Sequence, residues 1–105
     1  MQRGDVYRFK MPKGLGHEQQ GERFGVVVQS DVMLRRSVVV VAPTSRSAKP
    51  ASFRPEVEVA GDVSRVLVEQ VGAVDVQLLG RRVGRLTAEE MWSVDDALAV
   101  VLGLD

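Results

Sequence analysis

Apolar residues fall along the chain in short blocks, and the period inside each block predicts its element. Gly25-Val26-Val27-Val28-Gln29 and Ser37–Ala42 are continuous apolar runs, the pattern of central strands buried on both faces. Glu56-Val57-Glu58-Val59 alternates strictly, which predicts a half-exposed strand with valine inward. Asp5–Phe9 reads as a first strand; Arg65–Val68, Ala73–Val76 and Arg82–Leu86 read as shorter ones. Valine makes up about a fifth of the residues. Its branched side chain is stiff at χ1 and suits a pleated surface. Many short strands with turn signals between them predict a small barrel or a compact antiparallel sheet.

The last block changes period. Met91, Val94, Leu98, Val101 and Leu102 recur at helical spacing, which predicts a helix over 88–102. Thr87-Ala88-Glu89-Glu90 is a capping box, in which Thr87 bonds the N–H of Glu90 and the Glu90 side chain reaches back. Acidic residues crowd the first turns, where the helix dipole favours them. Gly103 is a plausible C-terminal stop. The apolar stripe is expected to pack on the sheet, with Trp92 as packing or dimer contact. Two long loops, Lys10–Glu22 and Pro43–Pro55, interrupt the pattern, and long loops are often functional.

At 105 residues with 45% apolar content, the expectation is a single domain over 1–105 with a real core. There is no cysteine, so disulfides, thiolate nucleophiles and Cys-based zinc sites are excluded. A single histidine makes a multi-His metal site an unpromising reading. The opening Met1-Gln2-Arg3-Gly4-Asp5 is polar and no apolar run reaches membrane-spanning length, so a cytoplasmic protein is expected. Net charge is zero, yet residues 1–54 hold ten Lys/Arg against four Asp/Glu, and residues 55–105 hold four against ten. That asymmetry suggests a polyanion-facing surface unless folding mixes the halves.

The window Gly16-His17-Glu18-Gln19-Gln20-Gly21-Glu22-Arg23 places a proton shuttle, carboxylates and a guanidinium together. Such a set suits phosphoryl chemistry: a base, an acid and a cation for the phosphate. A lone surface histidine is more often inert. Thr44 and Ser45 follow a buried strand, where hydroxyls either form turns or donate to a phosphate oxygen. The Arg35-Arg36 and Arg81-Arg82 pairs are expected at turns, as solvated surface.

These residues carry a resemblance to the MazF/PemK (Kid) family of toxin endoribonucleases. Arg3-Gly4-Asp5-Val6-Tyr7 resembles the family's opening R-G-(D/E)-(I/V)-W. Gly16–Arg23 resembles its G-(S/H)-E-Q-x-G-x-R-P segment, in the His-bearing Kid version. Gly25–Asp31, Val39–Ser45, Val68-Glu69-Gln70 with Val74-Asp75, and the tail from Val83-Gly84-Arg85-Leu86 to Leu102-Gly103-Leu104 follow in the family's order.

The resemblance implies a mainly β fold, a small SH3-like β-barrel of MazF/PemK/CcdB type with a C-terminal helix, usually a homodimer. It implies a type II toxin that cleaves single-stranded RNA without metal or other cofactor. The 2′-hydroxyl would attack its own phosphodiester, leaving a 2′,3′-cyclic phosphate and a 5′-hydroxyl. Carried over by motif, the catalytic residues fall on Arg23 and Thr44, with Glu18, His17 and Glu69 as alternative bases between which the sequence does not choose. Arg46, Lys49, Arg54, Lys10 and Lys13 would supply charge for the RNA backbone. Ser45 and Gln70 complete the RNA-binding set, and Phe53 stacks on a base or anchors its loop. The implied protein partner is a cognate MazE-like antitoxin whose disordered tail folds across the RNA groove.

The chain departs from the family pattern at Phe24 and Gly25, where Pro is usual after the Arg; at Gly72, where Arg follows the Gln; and at Leu67, in place of the second Kid-branch Arg. These changes weaken a His/Arg/Asp mechanism and leave an Arg/Thr mechanism intact. Two other readings compete: a gyrase poison of the same fold, which would lack the Arg/Thr pair, and an inactive binding module.

Overall fold

The computed structural model describes residues 1–10 and 22–104, with the side chains of Lys10 and Glu22 outside that description. Seven strands precede one helix: β1 (Asp5–Lys10), β2 (Glu22–Val27), β3 (Val38–Ser45), β4 (Glu56–Val59), β5 (Asp62–Val66), β6 (Gly72–Asp75), β7 (Leu79–Arg85) and α1 (Ala88–Leu102). Single 3-10 turns sit at Asp31–Met33, Val68–Gln70 and Val76–Leu78. Strand order is β4-β5-β3-β2-β1-β7, all antiparallel, with β6 also on β3. The expected mainly β fold with a C-terminal helix is what the chain adopts.

Strand β3 is the spine, and it changes partners along its length. Its first half, Val38–Val41, pairs with β6; its end, Thr44 and Ser45, pairs with β5. Pro43 lies at the switch. A strand residue's N–H and C=O point to the same neighbour, so the missing proline donor falls in the gap between the two ladders. The Pro43 carbonyl still accepts from the Leu67 N–H at 2.8 Å. That is why the strand runs three residues past Ala42, into what the sequence reads as loop. Other boundaries also move: β5 ends at Val66, and Val68 opens a 3-10 turn instead of continuing the strand. Arg81 and Arg82 lie inside β7, not at a turn.

The continuous valine runs are buried on both sheet faces. Val26, Val28, Ala42 and Val66 face the main core with Val57, Val59 and the helix residues Val94 and Ala97. Val27, Val39 and Val41 form a second cluster on the other face, with Tyr7, Leu34, Val74, Val76 and Leu79 against it. Gly25 has a steric cause: a Cβ there would stand 2.8 Å from the Phe9 ring, which is buried.

The capping box forms as the sequence predicts, and Glu90 does more than cap. One of its oxygens accepts from the Thr87 N–H at 2.8 Å and the other from the Glu58 N–H at 2.8 Å, tying α1 to edge strand β4. Gly103 adopts φ +71° and ends the helix. Trp92 does not pack inward; it is 63% exposed, and Leu102 is exposed as well.

The opening Arg3-Gly4-Asp5 is structural. Arg3 bonds the Val28 carbonyl at 2.7 Å and pairs with Asp95 of α1 at 2.7 Å. Gly4 sits at φ +95° beneath Met91. Buried Asp5 takes Arg82 at 3.1 Å and Arg85 at 3.4 Å. Folding therefore mixes the two charge halves: Arg3–Asp95, Arg46–Asp62 and Arg54–Glu69 each join a base of the first half to an acid of the second.

Candidate functional site

Arg23 and Thr44 reach each other because β2 and β3 are neighbours in antiparallel register, with Gly25 opposite Pro43. The Arg23 Nη2 donates to the Thr44 carbonyl at 3.1 Å. The Thr44 hydroxyl donates across the same pair of strands to the Phe24 carbonyl at 3.2 Å. Both residues are deep, Arg23 at 6% and Thr44 at 5% exposure. Two valine-rich strands thus carry a cation and a hydroxyl at one level, held by the ladder.

Beside this pair lies a pocket of about 320 Å³ lined by Ser45, Ser47, Ala48, Lys49, Arg54, Leu67 and Gln70. Four of these, Ser45, Lys49, Arg54 and Gln70, belong to the RNA-binding set expected from the sequence. The β3–β5 pairing creates the pocket, since it sets the end of β3 against the turn that starts at Leu67. Leu67, which replaces a family Arg, is an apolar part of its lining.

Arg54 and Glu69 form one unit. Arg54 donates to Glu69 Oε2 from Nε at 3.0 Å and from Nη2 at 2.6 Å, and its Nη1 donates to the Lys49 carbonyl at 3.1 Å. Its guanidinium also lies 5.8 Å from the centroid of the Phe53 ring. Burial pushes the Glu69 carboxyl upward in pKa. The Arg54 hydrogen bond and charge, with its own N–H and Gln70, outweigh that and hold it below the ordinary value. The other oxygen, Oε1, is buried with no hydrogen-bond partner of normal geometry among the described residues.

The remaining expected residues divide clearly. Arg46 is exposed and pairs with Asp62 at 3.2 Å. Phe53 packs on the main core, which fits a loop anchor better than a platform for a base. Lys49 is exposed. Lys10 closes β1, and its side chain lies outside the described set. His17, Glu18 and Lys13 lie outside the described residues. Among the described residues no three His, Asp or Glu side chains converge as a metal-ligand set. Sequence reasoning named Arg54 and Glu69 for separate tasks and missed their pairing. It also missed Ser47 and Ala48, for no local pattern marks a pocket wall.

Comparison with known proteins bears on the family and the fold. A relative from Mycobacterium tuberculosis, described as a candidate toxin, is 44% identical over 104 residues and 97% of both chains. The endoribonuclease EndoA of Bacillus subtilis is 33% identical over 113 residues, covering 99% of this chain and 96% of that one. The solved structure of MazF from Deinococcus radiodurans superposes with a TM-score of 0.84 at 20% identity, over 98% and 96% of the two chains. A mycobacterial endoribonuclease solved with its cognate antitoxin gives 0.83 at 20% identity, over 100% and 97%. At that identity the superpositions establish the fold. The family model of PemK-like, MazF-like toxins of type II toxin–antitoxin systems matches residues 2–102, and the chain belongs to that family.

Proposed function

We propose that this protein is an endoribonuclease toxin that cleaves single-stranded RNA in the cytoplasm and is neutralised by a cognate antitoxin. The reading is supported by the Arg23–Thr44 pair on adjacent strands next to a polar pocket. It is supported also by kinship with EndoA, whose name carries that activity.

In the proposed reaction a base removes the 2′-hydroxyl proton and the 2′-oxygen attacks the adjacent phosphorus. The bond from phosphorus to the 5′-oxygen breaks. That oxygen takes a proton and leaves as a 5′-hydroxyl, and a 2′,3′-cyclic phosphate remains. Arg23 stabilises the charge on the phosphoryl oxygens of the transition state and is a proton source for the leaving oxygen. The Thr44 hydroxyl turns from Phe24 to a phosphate oxygen. No step draws on a metal. Glu69 is poorly suited as base: its lowered pKa and its two bonds from Arg54 make it a weak proton acceptor. Its role here is to hold the pocket wall, which leaves His17 and Glu18 as the bases to test. The functional unit is a homodimer.

The deciding experiment is cleavage of a long unstructured RNA in EDTA, wild type beside Arg23→Ala, with chemical analysis of the ends. Discrete cuts with cyclic phosphate ends, absent in the variant, are expected. No cleavage by folded wild-type protein free of antitoxin would overturn the reading in favour of an inactive binding module.

A further inference from the structure

We infer that Arg54 and Glu69 are a positioning pair for RNA: together they fix the β3–β4 loop, residues 46–55, against the strand that bears Thr44, so that Lys49 meets the RNA and Arg54 itself takes no phosphate. The inference rests on the endoribonuclease reading above. It departs from what the motif implies, in which Arg54 supplies charge to the RNA backbone and Glu69 competes for the role of base.

Three segments meet at this pair. The Arg54 side chain reaches the turn at Val68–Gln70 through its bonds to Glu69 at 2.6 and 3.0 Å, and reaches its own loop through the Lys49 carbonyl at 3.1 Å. The Arg54 carbonyl accepts from Arg65 Nη1 of β5 at 2.9 Å, and its N–H donates to the Ala51 carbonyl at 3.0 Å. Arg65 lies opposite both Ser45 of β3 and Glu56 of β4 in the strand register. The loop is thus tied where it leaves one strand and where it enters the next.

The turn that carries Glu69 is in turn fixed beside Thr44. The Leu67 N–H donates to the carbonyl of Pro43, the residue before Thr44, at 2.8 Å, and the Gln70 N–H closes the turn onto the Leu67 carbonyl at 2.9 Å. At the loop's start the Ser47 N–H donates to Ser45 Oγ at 3.2 Å. Anchoring the loop to Glu69 therefore anchors it to the strand of Thr44. Ordering it before RNA arrives removes that cost from binding.

The electrostatics disfavour Arg54 as a phosphate ligand. Its side chain is 23% exposed and that of Glu69 is 26% exposed. A bidentate, charge-assisted pair of this kind is strong and neutralises itself. A phosphate that took the guanidinium would displace Glu69 and leave a partly buried carboxylate beside a second anion. Of the two cations that line the pocket, exposed Lys49 is the one open to RNA.

The test compares wild type with Arg54→Met, Glu69→Gln, their double variant and Lys49→Met. KM and kcat are read separately on a synthetic RNA carrying the site mapped by the cleavage experiment, with circular dichroism as a folding control. Arg54→Met and Glu69→Gln are each expected to raise KM about tenfold with kcat kept within about threefold. The double variant is expected to be no worse than either, because the same contact is lost in all three. Lys49→Met is expected to raise KM in the wild-type background and to add little once the pair is broken. Arg54→Lys keeps the charge and loses the fork, so its KM falls between, and it carries the comparison if Arg54→Met does not fold.

A lower KM in Glu69→Gln overturns the inference, since it would show Arg54, once freed, binding phosphate. A kcat loss of about a hundredfold confined to Glu69→Gln also overturns it and makes Glu69 the base. So do KM effects that multiply in the double variant, or an unchanged KM in both single variants. Wild-type protein that cleaves no RNA overturns the endoribonuclease reading and the inference with it, so the two failures are distinguishable.

Discussion

Arg23 and Thr44 are joined through the Thr44 carbonyl at 3.1 Å, not through its hydroxyl, which donates instead to Phe24. The Thr44 side chain can therefore change partner without breaking the contact that aligns the two residues.

A first prediction follows for catalysis. Thr44→Ser keeps a donor and is expected to retain most activity, whereas Thr44→Ala loses it. Arg23→Ala is expected to lower the cleavage rate by about 10²–10³-fold, the usual loss when one oxyanion donor is removed. Arg23→Lys should rescue little, since an ammonium cannot reproduce the planar fork. Single-turnover cleavage with circular dichroism as a folding control measures all four. Full activity in Arg23→Ala would remove that residue from the mechanism.

The Arg54–Glu69 pair predicts an acid-sensitive share of the stability. The Glu69 pKa is lower in the folded protein than in the unfolded chain. Its contribution is thus complete above the ordinary carboxylate pKa and is lost as pH falls through the lower folded value. Glu69→Gln should melt earlier than wild type near neutral pH, and the two Tm values should converge in acid. Parallel curves across the whole range would show that the pair adds nothing.

Gly25 is expected to resist any side chain. In Gly25→Ala the new Cβ meets the Phe9 ring at 2.8 Å inside the core. Overpacking of this kind costs about 1–3 kcal/mol. The loss should shrink when Phe9→Leu is made in the same chain, because the two sites share one contact. Urea unfolding of the four proteins in the cycle tests this, and additive losses would exclude the clash as the cause.

Glu90 couples the helix cap to edge strand β4. Thr87→Ala removes one side of the box and should cost about 1 kcal/mol. Glu90→Ala also strips the acceptor from the Glu58 N–H and should cost more, about 1–2 kcal/mol. Hydrogen exchange at Glu58 is the specific readout. It should speed up in Glu90→Ala and stay close to wild type in Thr87→Ala.

The elements and their faces were legible in the sequence, because each depends on neighbours within a few residues. The alternation of Glu56–Val59, the valine runs at 26–28 and 38–41, and the Thr87–Glu90 box all specify local geometry directly. Arg23 and Thr44 were legible through motif. Tertiary structure alone decided the rest. It carried β3 past Pro43 by switching its partner from β6 to β5. It joined Arg54 to Glu69 across fifteen positions, and it drew the segregated charges into pairs. It also left Val32, Met33 and Val38 exposed around the start of β3. Periodicity and capping are short-range properties of the chain. Which cation meets which carboxylate, and which apolar face stays open, depends on strand order, and strand order is set only when the whole sheet closes on its core.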